Sequence, residues 1–286
     1  MKFSFIAKHR GIWAVDWMCE ALGVSRGGFY AWLTRPRSKR SRDDEELRVK
    51  VRASFLGSGR TYGARRVWKD LAAEGVFSGL HRIERLMRLQ AFKARPRRRR
   101  LPLDLGERQA SAVAPNVLDR GFDALAPNRK WISDFTYIWT AEGWLYLAVI
   151  LDLHSRRVVG WAVSDRMKKD LAIRALDMAV RLRQPPEGCL FHSDRGSQYC
   201  SYDYQKKLQA YGLRPSMSGK GNCYDNASVE TFFKSLKAEL IWRQHWPTRR
   251  QAEAAIFQYI NGFYNTRRRH SYLGGISPLA FEAKVA

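Results

Sequence analysis

This sequence of 286 residues has few cysteines, few acidic residues for its number of basic ones, and no long apolar run. The four cysteines include no Cys-x-x-Cys pair, so the spacing indicates neither a disulfide framework nor a regular zinc site. The best apolar stretch, Trp144 to Leu151, falls short of the ~18 residues that a membrane-spanning helix needs. At the N-terminus, Lys8, His9 and Arg10 interrupt any signal-peptide core. We therefore expect a cytoplasmic protein with reduced thiols and no membrane partner.

Positive charge is what the sequence has in excess. It holds 51 Lys and Arg against 27 Asp and Glu, which gives a formal net charge of +24. Such an excess indicates a polyanionic partner, most simply nucleic acid, with an anionic membrane surface as the rival. Residues 1–100 alone carry 25 basic and 9 acidic residues. This front third is therefore predicted to contact the phosphate backbone of nucleic acid.

Two small all-α segments are predicted at the front of the chain. In residues 1–40, Gly23 suits a turn and Ser25 suits a helix N-cap, which favours either a helix-turn-helix or a plain helical hairpin. In residues 41–92, apolar residues recur at helical spacing over 64–73 and again after Gly75. The arginines of this second segment suit either a solvated face or a DNA contact.

A basic linker and a larger core are predicted to follow. Residues 93–126 begin with a run of arginines and are punctuated by proline and glycine, so we interpret them as largely irregular. Residues 127–286 show three β-rich runs with short connections and then alternating helices and strands. That order predicts an α/β core with a mixed sheet covered by helices. The predicted strands are 131–139, 144–151, 157–163, 189–192 and 213–216, and the predicted helices are 170–183, 202–211, 226–242 and 249–264.

Three carboxylates stand out on this map. Asp134 lies within the first predicted strand, Asp194 closes the fourth, and Glu230 lies in the first turn of the long helix. Carboxylates are the ligands that Mg²⁺ prefers, and two such ions can assist phosphoryl transfer. The alternative is structural: a local ion pair for Asp134, a turn for Asp194 and a helix-dipole contact for Glu230.

The chain resembles a known family at these residues. WISDFTY (131–137), HSDRGSQY (192–199) and GNCYDNA (221–227) are similar to segments of the OrfB transposases of the third insertion-sequence family. The resemblance extends over nearly the whole chain, including LGVSRGGFYAW (22–32) and YNTRRRH (264–270). Small departures, such as the Thr that follows Glu230, do not touch the acidic residues.

The resemblance implies a fold, an activity and a set of partners. The fold would be a ribonuclease H-like core of the retroviral integrase type, preceded by helix-turn-helix segments. Asp134, Asp194 and Glu230 would be the catalytic, metal-binding triad, with two Mg²⁺ or Mn²⁺ ions. The activity would be cleavage of insertion-sequence ends and strand transfer by a DDE transposase. The partners would be terminal inverted repeats, target DNA, further copies of the chain and an upstream OrfA protein, in a prokaryotic cytoplasm and at its nucleoid.

Basic side chains near the triad and in the helical segments are candidate DNA contacts. Lys234 and Lys237 fall within about 40° of Glu230 on a helical wheel, so they share its face. The full set of predicted DNA contacts is Lys234, Lys237, Arg195, Gln198, Lys220, Arg268, Arg26, Arg65, Arg82 and Arg85. For Arg268, a solvated helix end is the alternative. His192, on the same strand face as Asp194, is predicted to pack beside the site rather than to bind metal.

Two other functions remain open at this point. A helix-turn-helix regulator would bind DNA and use the acidic residues only structurally. A ribonuclease H-like nuclease would hydrolyse its substrate without strand transfer.

Overall fold

The computed structural model describes residues 1–35, 38–94, 113–119, 121–219 and 226–285. These form two compact units, residues 1–53 and 54–286. Within the described residues no helix is long and apolar enough to cross a membrane. Cys19, Cys189 and Cys200 are buried free thiols, and Cys223 lies outside the described residues.

The first unit is helical. The helices that start in it are α1 (Lys2–His9), α2 (Val15–Ala21), α3 (Arg26–Thr34) and α4 (Lys39–Gly57), which continues into the second unit. Gly23 has a left-handed φ of +59° between α2 and α3. The Ser25 hydroxyl accepts a hydrogen bond from the Gly28 backbone N–H, which caps α3. The predicted turn and N-cap are therefore confirmed.

The second unit opens with the helical pair α5 (Ala64–Ala73) and α6 (Leu80–Leu89). One face of the pair is buried through Val67 and Leu71 on α5 and Ile83 on α6. This agrees with the predicted helical spacing of the apolar residues. Most of the predicted linker lies outside the described residues, and its described parts hold no helix or strand.

The core of the second unit is a five-stranded mixed sheet. Its elements are β1 (Lys130–Thr140), β2 (Gly143–Asp152), β3 (Val158–Ser164), α7 (Lys169–Arg183), β4 (Leu190–Ser193), α8 (Tyr202–Ala210), β5 (Arg214–Met217), α9 (Ala227–Glu239), a 3₁₀ turn (Ile241–Arg243), α10 (Arg249–Phe257), a π-helical segment (Gln258–Tyr264) and α11 (Pro278–Val285). The strand order is β3-β2-β1-β4-β5. The first three strands are antiparallel, and β4 and β5 run parallel to β1. This is the ribonuclease H-like arrangement, which confirms the predicted α/β fold class.

Strand alternation builds a core on each face of the sheet. On β2, Leu147 and Val149 point to the face covered by α9, α10 and the π-helical segment. Ala148 and Ile150 point to the other face, which α7 and α8 cover. The period of two along β2 is what buries both faces of a central strand.

Close approach of β3 to α7 requires a glycine at position 160. A Cβ atom there would lie 2.3 Å from the Ala175 carbonyl oxygen and 2.7 Å from the Ala179 Cβ. Because both contacts are below van der Waals distance, only a glycine lets the helix lie this close to the strand.

We expect Gly160→Ala to lower the free energy of unfolding by about 1–3 kcal/mol, since the helix must move to admit the methyl group. Gly79→Ala is the control, because nothing lies within 4 Å of its added Cβ. Urea unfolding of both variants checks the prediction. An unchanged midpoint for Gly160→Ala would mean that β3 and α7 are not in this tight contact.

Candidate active site

The register of β1 and β4 brings two of the three acidic residues together. Ile132 pairs with His192 across these parallel strands. Two residues further along the chain from each of these, Asp134 lies within β1 on the face that carries Ile132, and Asp194 comes directly after the end of β4. Both side chains are partly accessible to solvent. Two carboxylates therefore stand side by side where β4 ends.

A buried tyrosine, Tyr199, lies near both carboxylates. The ring is fully buried, and its hydroxyl lies 2.8 Å from the Ser133 hydroxyl. Burial raises the pKa of Tyr199 well above its ordinary value, and the charges of Asp134 and Asp194 raise it further. Both carboxylates therefore lie within electrostatic range of this one buried phenol. Sequence reasoning missed Tyr199, although it lies in the quoted HSDRGSQY segment.

Asp194 also shapes its own turn. Its Oδ1 accepts a hydrogen bond of 2.8 Å from the Gly196 backbone N–H. A Cβ on Gly196 would lie 2.8 Å from that oxygen and 3.0 Å from Gln198 Oε1, so a larger residue here would displace the Asp194 carboxylate or the Gln198 amide. The interpretation of Asp194 as a turn residue is thus confirmed. It does not exclude a ligand role, since a carboxylate has two oxygens and about four lone-pair positions.

Glu230 comes from a helix that packs on the same face of the sheet. Val229 and Phe232 of α9 lie in the same core cluster as Ile132, two residues before Asp134. The Glu230 carboxylate, 31% exposed, accepts a hydrogen bond of 3.1 Å from Lys234 Nζ. Glu230 thus lies in the first turn of the helix that covers this face of the sheet.

Lys237 reaches from α9 to β1, the strand that carries Asp134. Its Nζ lies 4.8 Å from the centre of the Tyr137 ring. Burial lowers the pKa of Lys237, while the nearby Asp134 charge acts in the opposite direction. The Lys237 side chain therefore lies near Asp134, and Glu230 and Lys234 share its helix face.

The three acidic residues do not form a ready-made metal cluster. Among the described residues, no three Asp, Glu, His or Cys side chains surround one point closely enough to hold an ion. The donor set nevertheless fits a hard divalent cation, because every candidate ligand is a partly accessible carboxylate. The structure brings Asp134 and Asp194 together and leaves Glu230 on the adjoining helix.

His192 has a structural environment. It is fully buried, and its Nδ1 lies 2.9 Å from Ser216 Oγ on β5. That hydroxyl also accepts hydrogen bonds from the backbone N–H groups of Val117 and Leu118. His192 thus helps to join β4, β5 and the segment before β1, which favours the packing interpretation.

The other predicted DNA contacts near the site are held by backbone carbonyls. Arg195 Nε donates to the Ser218 carbonyl oxygen at 2.7 Å, and Gln198 Nε2 donates to the Met167 carbonyl oxygen at 3.1 Å. Lys220 lies outside the described residues.

The basic residues of the helical segments differ in exposure. Arg65 and Arg85 are exposed and Arg82 is half-buried, all on α5 and α6. In the first unit, Arg26 is exposed and pairs with Asp16 at 3.1 Å. These residues stay predicted contacts.

Arg268 lies in a buried ion pair and not on an exposed clamp or a solvated helix end. Its side chain is 4% exposed, and its guanidinium donates two hydrogen bonds of 2.7 Å to Glu239 and one of 3.0 Å to Ser235. Within the same basic cluster, Arg269 pairs with Asp70 at 2.9 Å. The expected exposed position of Arg268 is corrected, because a local run of charges does not show a partner 29 residues away, and a DNA contact of this residue stays a prediction.

Family models match most of the chain. An integrase core domain matches residues 124–223 and a second integrase core model matches residues 230–285. An HTH-like domain matches residues 41–100.

Full-length relatives are similar as well. The transposase InsF for insertion sequence IS3A of Escherichia coli (strain K12) is 43% identical over 286 residues, which is 99% of each chain. An uncharacterized 31 kDa protein of insertion element IS600 from Shigella sonnei is 43% identical over 267 residues, covering 93% of this chain and 98% of that protein.

Two solved structures resemble this one in part. A simian T-cell lymphotropic virus intasome in complex with the PP2A regulatory subunit B56 gamma gives a TM-score of 0.47 at 17% identity, over 80% of this chain and 73% of that one. The HTLV-2 integrase catalytic core domain in complex with magnesium gives 0.41 at 18%, over 56% and 98%.

Proposed function

Because this chain belongs to the InsF transposases of the IS3 insertion-sequence family, we propose that it cuts the DNA at the ends of such an element and joins those ends to target DNA. The chain is a DDE transposase with an integrase catalytic core, that is, a polynucleotidyl transferase. The observation that supports the proposal is that Asp134 on β1 and Asp194 directly after β4 each follow the paired residues Ile132 and His192 by two positions, while Glu230 comes from the helix packed on that face of the sheet.

We assign Asp134, Asp194 and Glu230 as the catalytic and metal-binding residues. Three carboxylates are enough to hold two divalent cations if one of them bridges both. Two Mg²⁺ or Mn²⁺ ions held there would supply activation of the attacking oxygen and stabilisation of the leaving oxygen.

The protein's own groups position the DNA. Lys234 and Lys237 lie on the face of α9 that carries Glu230, so they can hold the phosphates beside the reacting phosphodiester. Arg195 and Gln198 border the same turn as Asp194, and their fixed side chains can contact the strand as it passes. Arg26, Arg65, Arg82 and Arg85 are assigned to the DNA backbone farther along the duplex.

The partners follow from the same reaction. The proposed DNA partners are the inverted repeats at the ends of the element and a target duplex. Because two ends must be joined to one target, we propose that several copies assemble on the DNA. An upstream OrfA protein is a further proposed partner.

The activity test uses the full chain with labelled duplexes that carry the two ends of the element found beside its own gene. With Mg²⁺ or Mn²⁺ present we expect joined products, and with EDTA none. Hydrolysis without joining would favour the nuclease, and binding without either reaction would favour the regulator. Parallel reactions with the upstream protein decide whether the chain acts alone.

The double variant Lys234→Ala/Lys237→Ala tests the positioning role. We expect a large loss of joining, and a log–log salt slope of end binding that is shallower by up to about 2, because two phosphate contacts disappear. Melting should change little, since the Lys234–Glu230 pair itself contributes only ~0.2–0.5 kcal/mol.

The matched control is Lys168→Ala/Lys206→Ala, which removes two exposed lysines beside the helices on the opposite face of the sheet. If the α9 variant joined and bound DNA like this control, the two lysines would be no more than a solvated face.

A further inference from the structure

A cavity of about 420 Å³ lies on the side of α9 turned away from Glu230. It is formed by the first turns of α9, the turn between β2 and β3, and residues 268–272. Three arginines line it, together with serine, threonine and histidine side chains: Arg66, Arg156, Arg268, Ser228, Thr231 and His270. No residue assigned above to catalysis is among them.

The charge in this cavity is positive. Glu239 pairs with Arg268 at 2.7 Å and lies 3.5 Å from Arg66. The single Glu239 carboxylate thus lies beside two guanidinium groups, and the third guanidinium group is that of Arg156. At the rim the exposed Asp123 accepts a hydrogen bond from the Tyr272 hydroxyl. The cavity itself keeps an excess of cationic groups.

Arg156 is held by neutral partners. Its guanidinium donates to the Ser228 hydroxyl and, at 3.4 Å, to the Phe122 carbonyl oxygen, and it stacks 4.1 Å from the centre of the Tyr272 ring. Among the described carboxylates none forms an ion pair with it. Its φ of +58° is left-handed, where a non-glycine residue is uncommon. A charged side chain kept at such a position is a candidate for function.

Two further groups point into the same cavity. Ala227 and Ser228, at the positive end of the 13-residue helix α9, line it, and the N-cap residue Asn226 makes no side-chain capping bond. His270 is 9% exposed, and its Nε2 has no hydrogen-bond partner among the described residues. Burial and the charges of Arg268, Arg66 and Arg156 lower the pKa of His270 to about 2. The imidazole is therefore neutral in a site of positive potential.

We propose that this cavity binds a phosphodiester group of the DNA strand held at the active site. The inference rests on the proposed function. A guanidinium fork, a helix N-terminus and a serine hydroxyl are the groups that proteins use for phosphate. Ser228 is two residues before Glu230, so the cavity and the acid lie across one helix, about 10–12 Å wide. At the ~3.4 Å rise per nucleotide of one strand, about three or four nucleotides bridge that distance.

Arg156→Gly is the informative variant, since glycine adopts the same left-handed φ, and its melting temperature shows whether loss of the contacts to Ser228, Phe122 and Tyr272 disturbs the fold. We expect it to weaken binding of the end-bearing duplex about tenfold, the effect of losing one charged hydrogen-bonding group. The salt slope should become shallower by about 1. Arg156→Lys should recover the slope but only part of the affinity, because an ammonium lacks the planar fork. Gln184→Gly, at another left-handed position, is the backbone control.

A second arm separates DNA phosphate from a free anion. Inorganic phosphate is titrated against the wild type and Arg156→Gly, and the melting temperature is followed. A phosphodiester site predicts the DNA effect with little or no rise at millimolar phosphate. A rise in the wild type alone, without a DNA effect, would overturn the proposal in favour of a free-anion site.

Wild-type affinity and slope in Arg156→Gly would overturn the proposal outright. Failure of the proposed function has a different signature. If the wild type never joined ends but Arg156→Gly still lost DNA affinity, the phosphodiester site would be supported and the proposed strand-transfer reaction would be rejected.

Discussion

Asp194→Asn is expected to remain folded and bound to DNA while losing strand transfer by more than about a hundredfold. A neutral amide is a poor ligand for Mg²⁺, and a hundredfold corresponds to ~2.7 kcal/mol of barrier. The fold should survive, because the asparagine oxygen can still accept the hydrogen bond from the Gly196 backbone N–H. Asp134→Asn should behave alike, since its Oδ1 accepts from the Phe135 backbone N–H at 2.7 Å. Glu230→Gln likewise keeps an acceptor for Lys234.

The measurement is joining of labelled ends, with DNA binding and melting temperature recorded on the same preparations. Asp165→Asn is the matched control, because this exposed aspartate follows β3, on the outer edge of the sheet. Joining within about tenfold of the wild type for any of the three variants would remove that residue from the metal site, since ~1.4 kcal/mol is too little for a lost ligand.

Arg268→Met should destabilise the second unit by about 3–5 kcal/mol, because it leaves Glu239 buried without its main partner. In the wild type, burial raises the pKa of Glu239, but the hydrogen bonds from Arg268 and Tyr259 and the charges of Arg268 and Arg66 outweigh it. The pKa therefore lies below its ordinary value. That contribution to stability is present above the unfolded-state pKa of about 4.3 and is lost as the pH falls through the lower, folded-state value.

Urea unfolding at neutral and acidic pH checks this expectation. The deficit of Arg268→Met should be largest near pH 7 and should narrow as the pH falls below the unfolded-state pKa of about 4.3 and through the lower folded-state pKa of Glu239, where this carboxylate becomes protonated. The double variant Arg268→Met/Glu239→Gln should lose less stability than Arg268→Met alone, since no buried charge is left unpaired. Arg267→Met, at an exposed neighbour, is the control. Equal loss for Arg267→Met and Arg268→Met would contradict the buried ion pair.

Local periodicity was enough to predict most of the core. The strand predicted at 144–151 is observed at Gly143–Asp152, and the helix predicted at 170–183 is observed at Lys169–Arg183. Alternation with period two and repetition with period 3.6 are properties of neighbouring residues, so a sequence displays them directly. The acidic residues Asp134 and Asp194 were found in the same way, as polar residues in or directly after buried strands.

Irregular helix ends were not predictable. The helix expected at 249–264 is α-helical only to Phe257 and continues as a π-helical segment. Each wider turn changes which side chains face the core, and it buries Tyr259 and Tyr264 together. The helix expected to reach 242 stops at Glu239 and passes into a 3₁₀ turn. These changes of helix type depend on packing partners that are distant in the sequence.

Long-range polar pairing was the other feature that sequence reasoning missed. The cluster at 267–269 suggested a surface clamp, but Arg268 turns inward to Glu239 and Arg269 turns to Asp70. Only the fold decides which of three adjacent arginines meets a carboxylate. The wrongly expected exposure of Arg268 and the missed cavity beside it have the same cause.

Hydrogen bonds and an ion pair link residues 62–70 to the C-terminal part of the core, and they limit how relatives can be recombined. The Tyr62 hydroxyl donates to the Arg267 carbonyl oxygen at 2.9 Å, Lys69 Nζ donates to the Gly274 carbonyl oxygen at 2.7 Å, and Arg269 pairs with Asp70. A chimera that takes residues 54–94 from another transposase must therefore take the matching residues 262–277 with them. Hybrids joined only at the linker would combine residues 54–94 of one protein with residues 262–277 of another, and the interface between them would not match. A transposase with altered end recognition should therefore exchange both segments together.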